Sequence, residues 1–184
     1  MTYVALLRAI NVGGHTVAMG RLQRLFTELG CANVSTFIAS GNVIFDATAR
    51  GSAPALERRI AAHLGAALGF PVETFLRTPQ ELAKIAGQRP FAARALAAPG
   101  TRLFVAFLGR KPSSASVRKL MALRTPTDDL AVAGREIYWL CRVPSNEAAV
   151  SGAILEKALR APATVRNITT VRKLVDRCAM NRAG

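Results

Sequence analysis

Polar residues and glycines directly follow the first apolar run of the chain, in an arrangement typical of an anion-binding loop. The run covers residues 3–9 and has Arg8 near its end, and the loop after it contains Asn11, Gly13 and Gly14. Glycines allow backbone N–H groups to approach a ligand, and an arginine binds a phosphate or carboxylate through two parallel hydrogen bonds. The competing interpretation is that the glycines only meet the backbone requirements of a turn. The loop has neither the G-x-x-x-x-G-K-[ST] nor the G-x-G-x-x-G spacing, which disfavours a dedicated ATPase or dinucleotide enzyme.

A second cluster, Ser40-Gly41-Asn42, lies between two short apolar segments and predicts a tight β-hairpin. In a split β-α-β arrangement, the loop after the first strand and the turn between the second and third strands emerge at the same edge of the sheet. We therefore expect Arg8 and its loop to converge with this turn. Ser40 and Asn42 also suit a purely structural role, in which they only hold the hairpin together.

Two further clusters occur in the second half of the chain. Arg166 and Asn167 end a predicted strand, and Lys173 lies in the helix after it, which adds all three to the candidate ligand-binding residues. In the structural interpretation, Asn167 satisfies only backbone groups and Lys173 only faces water. The other cluster lies at the edge equivalent to that of Arg8 and consists of Arg110, Lys111 and Arg135.

Residues suited to catalysis or metal binding are few. His15 lies in the glycine loop and is a candidate acid or base, whereas Ser40 has no acidic or histidine partner that the sequence can place. The two histidines and three cysteines have no zinc-type spacing. We expect no metal and no cofactor, and small buried or incidental thiols at Cys31, Cys141 and Cys178.

The charge of the chain is strongly positive and uneven. Its 184 residues include 25 Lys and Arg against 11 Asp and Glu, a formal net charge of +14. The first 92 residues hold nine cations against five anions, and the last 92 hold sixteen against six. Such a balance is typical of nucleic-acid binders, because neutralising phosphates releases counterions. The competing interpretation is a G+C-rich coding bias, since Arg outnumbers Lys twenty to five.

The elements that must position these residues follow the order β-α-β-β-α-β twice. An apolar strand-type run opens each copy, at residues 3–9 and 102–108, and helical apolar spacing follows. Hairpin signals at Ser40-Gly41 and Gly134-Arg135 divide the middle strands. The sequence predicts an α+β fold of two tandem ferredoxin-like modules, or α/β plaits, within one compact unit or as separate domains. The predicted boundaries are 1–77, a linking helix and connection over 78–100, and 101–184 with a C-terminal helix.

The first strand of each copy is apolar on both faces, as Val4 and Ala5 illustrate, and we expect both faces to be covered. That pattern argues against an open RNA-binding sheet, which displays stacking aromatic residues on a solvated face. Tyr138 and Trp139 lie on opposite faces of one strand, so at most one of them can stack on a base.

Membrane insertion is not expected. No run reaches the roughly 18 uncharged apolar residues of a membrane helix, and Arg8 interrupts the apolar start before a secretory signal is complete. Hydrophobic residues make up 51% of the chain, enough to bury a core. A soluble cytoplasmic protein without a membrane partner is expected, and the oligomeric state is left open.

Six short motifs occur in this order along the chain. They are Arg8-Ala9-Ile10-Asn11-Val12-Gly13-Gly14, residues 36–45, Pro90-Phe91, Thr164-Val165-Arg166-Asn167, Thr170-Val171 and Lys173-Leu174. Together they resemble the bacterial "domain of unknown function 1697" family. The resemblance covers nearly the whole chain and implies two ferredoxin-like α/β plaits in one protein, but no reaction. The chain departs from the family pattern at Ala9, where glycine is common, at Ala39, where glutamine is frequent, and at Ile168, where an aromatic residue often occurs.

Two functions of different classes follow from these observations. The first is a binding protein for an anionic ligand, either nucleic acid or a phosphate-bearing molecule, at the loop edge of the first module. The alternative is a small-molecule enzyme that acts on a phosphorylated or carboxylated metabolite at the same edge, with His15 or Ser40 taking part. The excess charge favours an extended basic surface, whereas the glycine loop favours a pocket.

Overall fold

A computed structural model describes residues 1–11, 14–48 and 51–183, with side chains up to residue 180. Within this described part, eight strands and seven helices form an α+β fold. In chain order they are β1 (Thr2–Leu7), α1 (Met19–Glu28), β2 (Ala32–Phe37), β3 (Asn42–Asp46), α2 (Ala53–Leu68), β4 (Thr74–Arg77), α3 (Pro79–Gly87), α4 (Ala93–Leu96), β5 (Arg102–Leu108), α5 (Ser114–Met121), β6 (Asp128–Ala133), β7 (Glu136–Cys141), α6 (Gly152–Leu159), β8 (Ala163–Asn167) and α7 (Ile168–Ala183).

The strands form two four-stranded sheets, each antiparallel throughout. The strand order is β2-β3-β1-β4 in one sheet and β6-β7-β5-β8 in the other. The first strand of each copy is central: Ala5 pairs with Val43 and Leu76, and its counterpart Ala106 pairs with Ile137 and Val165. The predicted order of elements is therefore confirmed in both halves.

Corresponding hydrogen bonds recur in the two halves. The N–H of Leu7, at the end of β1, donates to the carbonyl of Gly41, and the N–H of Leu108, at the end of β5, donates to that of Arg135. A helix carboxylate also accepts from the last strand in each copy, since Glu57 binds the N–H of Leu76 and Glu156 that of Ala163. These equivalences support an internal duplication in element order and bonding pattern.

The chain divides into two compact units. The first consists of Met1–Leu82 with Leu174–Gly184, and the second of Ala83–Lys173. In the first, Leu22 and Phe26 of α1 and Ile60 of α2 belong to one core with alternate residues of β1. In the second, Leu120 of α5 and Leu155 of α6 pack in a core with Ala106. Helices α1, α2, α5 and α6 each bury apolar residues on the side that packs in its core.

The central strands are buried on both faces, as their apolar pattern predicts. Val4 and Ala5, on opposite faces of β1, are each fully buried, and so are Val105 and Ala106 of β5. Among the described helices, none has the length and apolarity needed to span a bilayer.

Some element boundaries differ from the prediction. Short helix α4 lies in the alanine-rich connection, where no helix was predicted. The first hairpin turn extends over residues 38–41, because Ile38 already has a positive φ of 51° and strand β2 ends before it. Helix α7 begins at Ile168, and Asn167 accepts a hydrogen bond from the N–H of Thr169. Asn167 therefore supplies the side-chain cap at the start of α7.

Candidate anion-binding sites

The loop after β1 lies against the β2–β3 turn of the first unit, and Asn11 joins the two. Its Nδ2 donates to the carbonyl of Ala39 at 2.7 Å, and its Oδ1 accepts from the N–H of Val17 at 2.7 Å. Asn11 has a φ of 55°, a left-handed conformation that asparagine tolerates better than most residues. The side chain thus ties both ends of its own loop to the hairpin turn.

Gly41 allows the close contact between this loop and the turn. Its φ is +73°, and a Cβ placed on it would lie 2.9 Å from the Cβ of Ile10 and 3.1 Å from that of Leu7. Only glycine satisfies both the conformation and the space at this position. The role that the contacts assign to Gly41 is therefore packing.

Asn42 and Ser40 bond to each other across the turn. Asn42 is fully buried, and its Nδ2 donates to the hydroxyl of Ser40 at 2.8 Å and to the carbonyl of Phe37 at 3.1 Å. These contacts hold the hairpin closed.

The remaining predicted residues of this edge occupy different settings. Arg8 is half-buried, and its backbone N–H donates to the carbonyl of Glu73. Gly14 is exposed with a φ of +87°, whereas Gly13 lies outside the described residues. The His15 ring stacks on Phe70 with the ring centroids 3.9 Å apart. The structure thus brings the loop and the turn together at one edge, with Asn11 and Asn42 engaged in contacts within the edge.

The second unit carries a far larger positive charge than the first. Residues 83–173 contain 16 Lys and Arg against five Asp and Glu, a net charge of +11. Thirteen of these cations are exposed. They are Lys84, Arg89, Arg94, Arg102, Arg110, Lys111, Arg118, Lys119, Arg124, Lys157, Arg160, Arg172 and Lys173.

Most carboxylates of this unit are withdrawn from solvent. Asp128 is fully buried and accepts from the indole N–H of Trp139 at 2.7 Å. Asp129 is half-buried and pairs with Arg124, and half-buried Glu156 accepts from the Ala163 backbone. Glu136 is buried as well. Glu147 alone among the five is exposed, so the surface of the second unit is more basic than its net charge indicates.

The late predicted residues separate into a buried and an exposed group. Arg166 is 8% exposed and donates to the hydroxyl of Thr164 at 2.8 Å and to the carbonyl of Val165 at 2.9 Å. Burial lowers the pKa of its guanidinium to about 10. Asn167 is half-buried at the start of α7, and Lys173 is exposed. Arg166 therefore contacts its own strand, while Asn167 and Lys173 reach the surface.

The predicted site residues of the second unit lie towards both ends of its central strand β5. Arg110, Lys111 and Arg135 lie at the carboxyl end, where the N–H of Leu108 bonds to the carbonyl of Arg135. Asn167 pairs with Phe104 nearer the other end.

The possible metal ligands of the described chain are dispersed, and its thiols are buried. There, no three His, Cys, Asp or Glu side chains gather into a potential metal site. All three cysteines are buried, and burial raises the pKa of the Cys31 thiol above its ordinary value, with an opposing effect from Arg59. The Cys31 thiol is therefore a poor nucleophile in the folded protein.

Comparison with known proteins gives a family and a fold. The model of the family described as "Protein of unknown function (DUF1697)" matches residues 1–138. The structure of conserved bacterial protein SP0830 from Streptococcus pneumoniae is similar, with a TM-score of 0.66 and 21% sequence identity over 95% of this chain and 97% of that one. The comparison with curated proteins gives no match. The structural similarity concerns the fold alone.

Proposed function

This chain belongs to the DUF1697 family, and from that premise we propose that it binds an anionic ligand, with nucleic acid as the leading class. One observation carries the proposal: the second unit exposes thirteen cations and a single carboxylate, Glu147. A phosphate backbone attracts such a surface without any base recognition, because each neutralised phosphate releases condensed counterions. Asp128 and Glu136 are buried, and Glu156 accepts from the Ala163 backbone, so Asp129 is the one of the other four carboxylates that pairs with an exposed arginine, Arg124.

The strongest position for a phosphate backbone is the edge formed by Arg110, Lys111 and Arg135. Arg110 and Lys111 are exposed in the loop after β5. Arg135, in the β6–β7 turn, accepts at its carbonyl from the N–H of Leu108, two residues before Arg110. The equivalent edge of the first unit, with Arg8 and the exposed Gly14, is proposed as a second point of contact. Asn11 and Asn42 support that edge mainly by holding its loop, since their side chains bond within it.

Fluorescence anisotropy with labelled single- and double-stranded oligonucleotides over a salt series tests the proposal. We expect log affinity to fall with log salt by several units, about 0.9 per phosphate contacted in a duplex and about 0.7 in a single strand. Binding that is absent, or insensitive to salt, with every oligonucleotide would overturn the proposal.

Two matched variants locate the surface. Arg110→Glu changes the charge by the same amount as Arg58→Glu, and both side chains are exposed. We expect Arg110→Glu to weaken binding at least several-fold and Arg58→Glu to change it far less. Loss of affinity in Arg8→Ala would assign a phosphate contact to the first edge, and unchanged affinity would restrict binding to the second unit.

We further propose that each copy is a ferredoxin-like plait, with modules at 1–77 and 101–184 joined by 78–100, in a cytoplasmic protein. The β-α-β-β-α-β order and the strand orders β2-β3-β1-β4 and β6-β7-β5-β8 support the plait. Free thiols at all three cysteines are compatible with a reducing compartment.

A further inference from the structure

A cleft of about 610 Å³ lies within the second unit, away from the Arg110 edge. It is bounded by the end of α3, by α4, by the start of β5 and by the first turn of α7. Its volume lies within the range of about 300–1,000 Å³ found for small-molecule sites. All of its lining residues belong to residues 83–173.

The walls of this cleft combine positive charge with apolar surface. Three exposed arginines line it, Arg89, Arg102 and Arg172, and none of its lining residues is acidic. Phe91 and Leu96 are half-buried and, with the buried Leu103, give it an apolar side. A few converging polar groups beside an apolar wall are typical of a ligand pocket.

Several polar groups of the cleft have bonding capacity left over. Within the described chain, the side chains of Arg89 and Arg172 make no hydrogen bond or ion pair, and Arg102 makes one bond, to the carbonyl of Val143 at 3.3 Å. The hydroxyl of Thr101 is buried without a partner there. Asn167 uses its Oδ1 to accept from Thr169, which leaves its Nδ2 as a donor. All these groups except the hydroxyl are pure donors, so the complementary ligand is an acceptor.

We propose that this cleft binds a phosphate monoester that carries an apolar or aromatic body. A monoester has a charge between −1.5 and −2 at neutral pH and three acceptor oxygens, which suits two or three guanidinium groups. The positive end of the α7 dipole adds to the field of the arginines. The body of the ligand lies against Phe91 and Leu96. The cleft lies away from the Arg110 edge. Its three arginines also belong to the thirteen exposed cations, but the proposal for the cleft does not depend on nucleic-acid binding.

Amide-resolved NMR titration of the full chain tests the proposal with three probes: phenyl phosphate, inorganic phosphate and phenol. We expect phenyl phosphate to shift amide signals at Thr101, Asn167 and Thr169, and to bind several-fold more tightly than inorganic phosphate because of the apolar wall. Phenol is expected to give no saturable shifts. Arg172→Ala should weaken phenyl phosphate at least about ten-fold, whereas Arg118→Ala, an exposed helical arginine remote from the cleft lining, should leave it unchanged.

Each other result has a defined meaning. Three results would contradict binding in the cleft. The first is no saturable shift with either phosphate, and the second is shifts confined to Asn11, Gly14 and Gly41. The third is an equal loss of phenyl phosphate affinity in Arg172→Ala and Arg118→Ala. Equal affinities for phenyl phosphate and inorganic phosphate would contradict the proposed contact between the ligand body and the apolar wall of the cleft. Amide spectra of the free variants confirm that they are folded. If Arg172→Ala loses phenyl phosphate binding but still binds oligonucleotides, both proposals are supported. If only the oligonucleotides or only phenyl phosphate fail to bind the wild type, only the corresponding proposal is contradicted.

Discussion

If Asn11 has a structural role, its replacement should lower the stability of the protein, whereas a residue that only binds a ligand could be replaced without that loss. Its side chain makes bonds of 2.7 Å to both Ala39 and Val17, each worth about 1 kcal/mol. We therefore expect Asn11→Gly, which keeps the left-handed conformation, to lower the free energy of unfolding by about 2 kcal/mol. Asn11→Ala should cost roughly 1 kcal/mol more, because alanine is strained at a positive φ. Urea denaturation measures both.

Asn33→Gly is the matched control for Asn11. Asn33 also has a positive φ, 50°, and makes one exposed bond to Asp46. Its replacement should cost less than about 1 kcal/mol. Equal losses at Asn11 and Asn33 would contradict the clamping role of Asn11.

Tyr138 should make the second unit less stable as the pH rises into the alkaline range. Its buried hydroxyl donates to the carbonyl of Ile85 at 3.1 Å, and burial, with the nearby Glu136 charge, raises its pKa well above the ordinary value of 10. The folded state keeps the proton that the unfolded state loses above pH 10, so stability from this group is complete below pH 10 and declines as pH rises above it.

Comparison with Tyr138→Phe isolates that effect. At pH 7 we expect the wild type to be more stable by about 1 kcal/mol, from the hydrogen bond. At pH 11 ionisation of the unfolded state removes about 1.4 kcal/mol, so the difference should vanish or reverse. Denaturation at the two pH values measures it, and a difference that stays constant would show that Tyr138 ionises equally in both states.

The sequence predicts the position of the loop edge but not the hydrogen bonds that its side chains make. Asn11 and Asn42 stood out by type and position, yet their bonds to Ala39 and Ser40 depend on how the loop meets the turn. Asp128 carries no sequence signal of its burial. Its burial depends on the β6–β7 register, which brings the indole N–H of Trp139 to its carboxylate. Local patterns do not specify such cross-strand contacts.

The turns of the two hairpins each contain a glycine with a positive φ, and the two sites differ in the space around the glycine. Gly41 and Gly134 both have positive φ, +73° and +64°. A Cβ at Gly41 would lie 2.9 Å from Ile10, whereas at Gly134 the nearest atom is the flexible Glu136 carboxylate at 3.5 Å. We expect both Gly→Ala variants to lose roughly 1 kcal/mol from the left-handed conformation, and Gly41→Ala to lose about 1–3 kcal/mol more from overpacking. Thermal and urea denaturation compare the two, and equal losses would contradict the close packing of the loop on the turn.

The periodicity of apolar residues predicts the long helices and strands better than the short ones. The apolar run of β5 matches its observed bounds, and Gly69 ends α2 in the left-handed conformation that glycine favours. Strand β4 begins at Thr74, three residues after Pro71, which has no N–H for the ladder. Four-residue α4 is too short to show a helical period. Long periodic segments were therefore predictable, and short or irregular ones were not.

For the whole molecule, the excess of exposed cations should lower stability through mutual repulsion. The net charge is +14, and most of it belongs to the second unit. Raising ionic strength from ~0.01 M to ~0.1 M shortens the Debye length from about 30 Å to about 10 Å, which screens that repulsion. We expect Tm to rise over this range by about 3–6 °C, equivalent to roughly 1–2 kcal/mol for a chain of this size.

Neutral variants and the choice of anion separate screening from binding. Arg118→Gln with Lys119→Gln removes two exposed charges of α5, and it should raise Tm at ~0.01 M salt and change it little at ~0.2 M. Sodium sulfate, compared with sodium chloride at equal ionic strength, should add a further increase, because a bound dianion stabilises the folded state by mass action. That increase should be smaller in Arg172→Ala if the anion occupies the cleft. A Tm that falls with either salt would show that attractive ion pairs outweigh repulsion, and the exposed arginines would then be paired in solution rather than available to a phosphate.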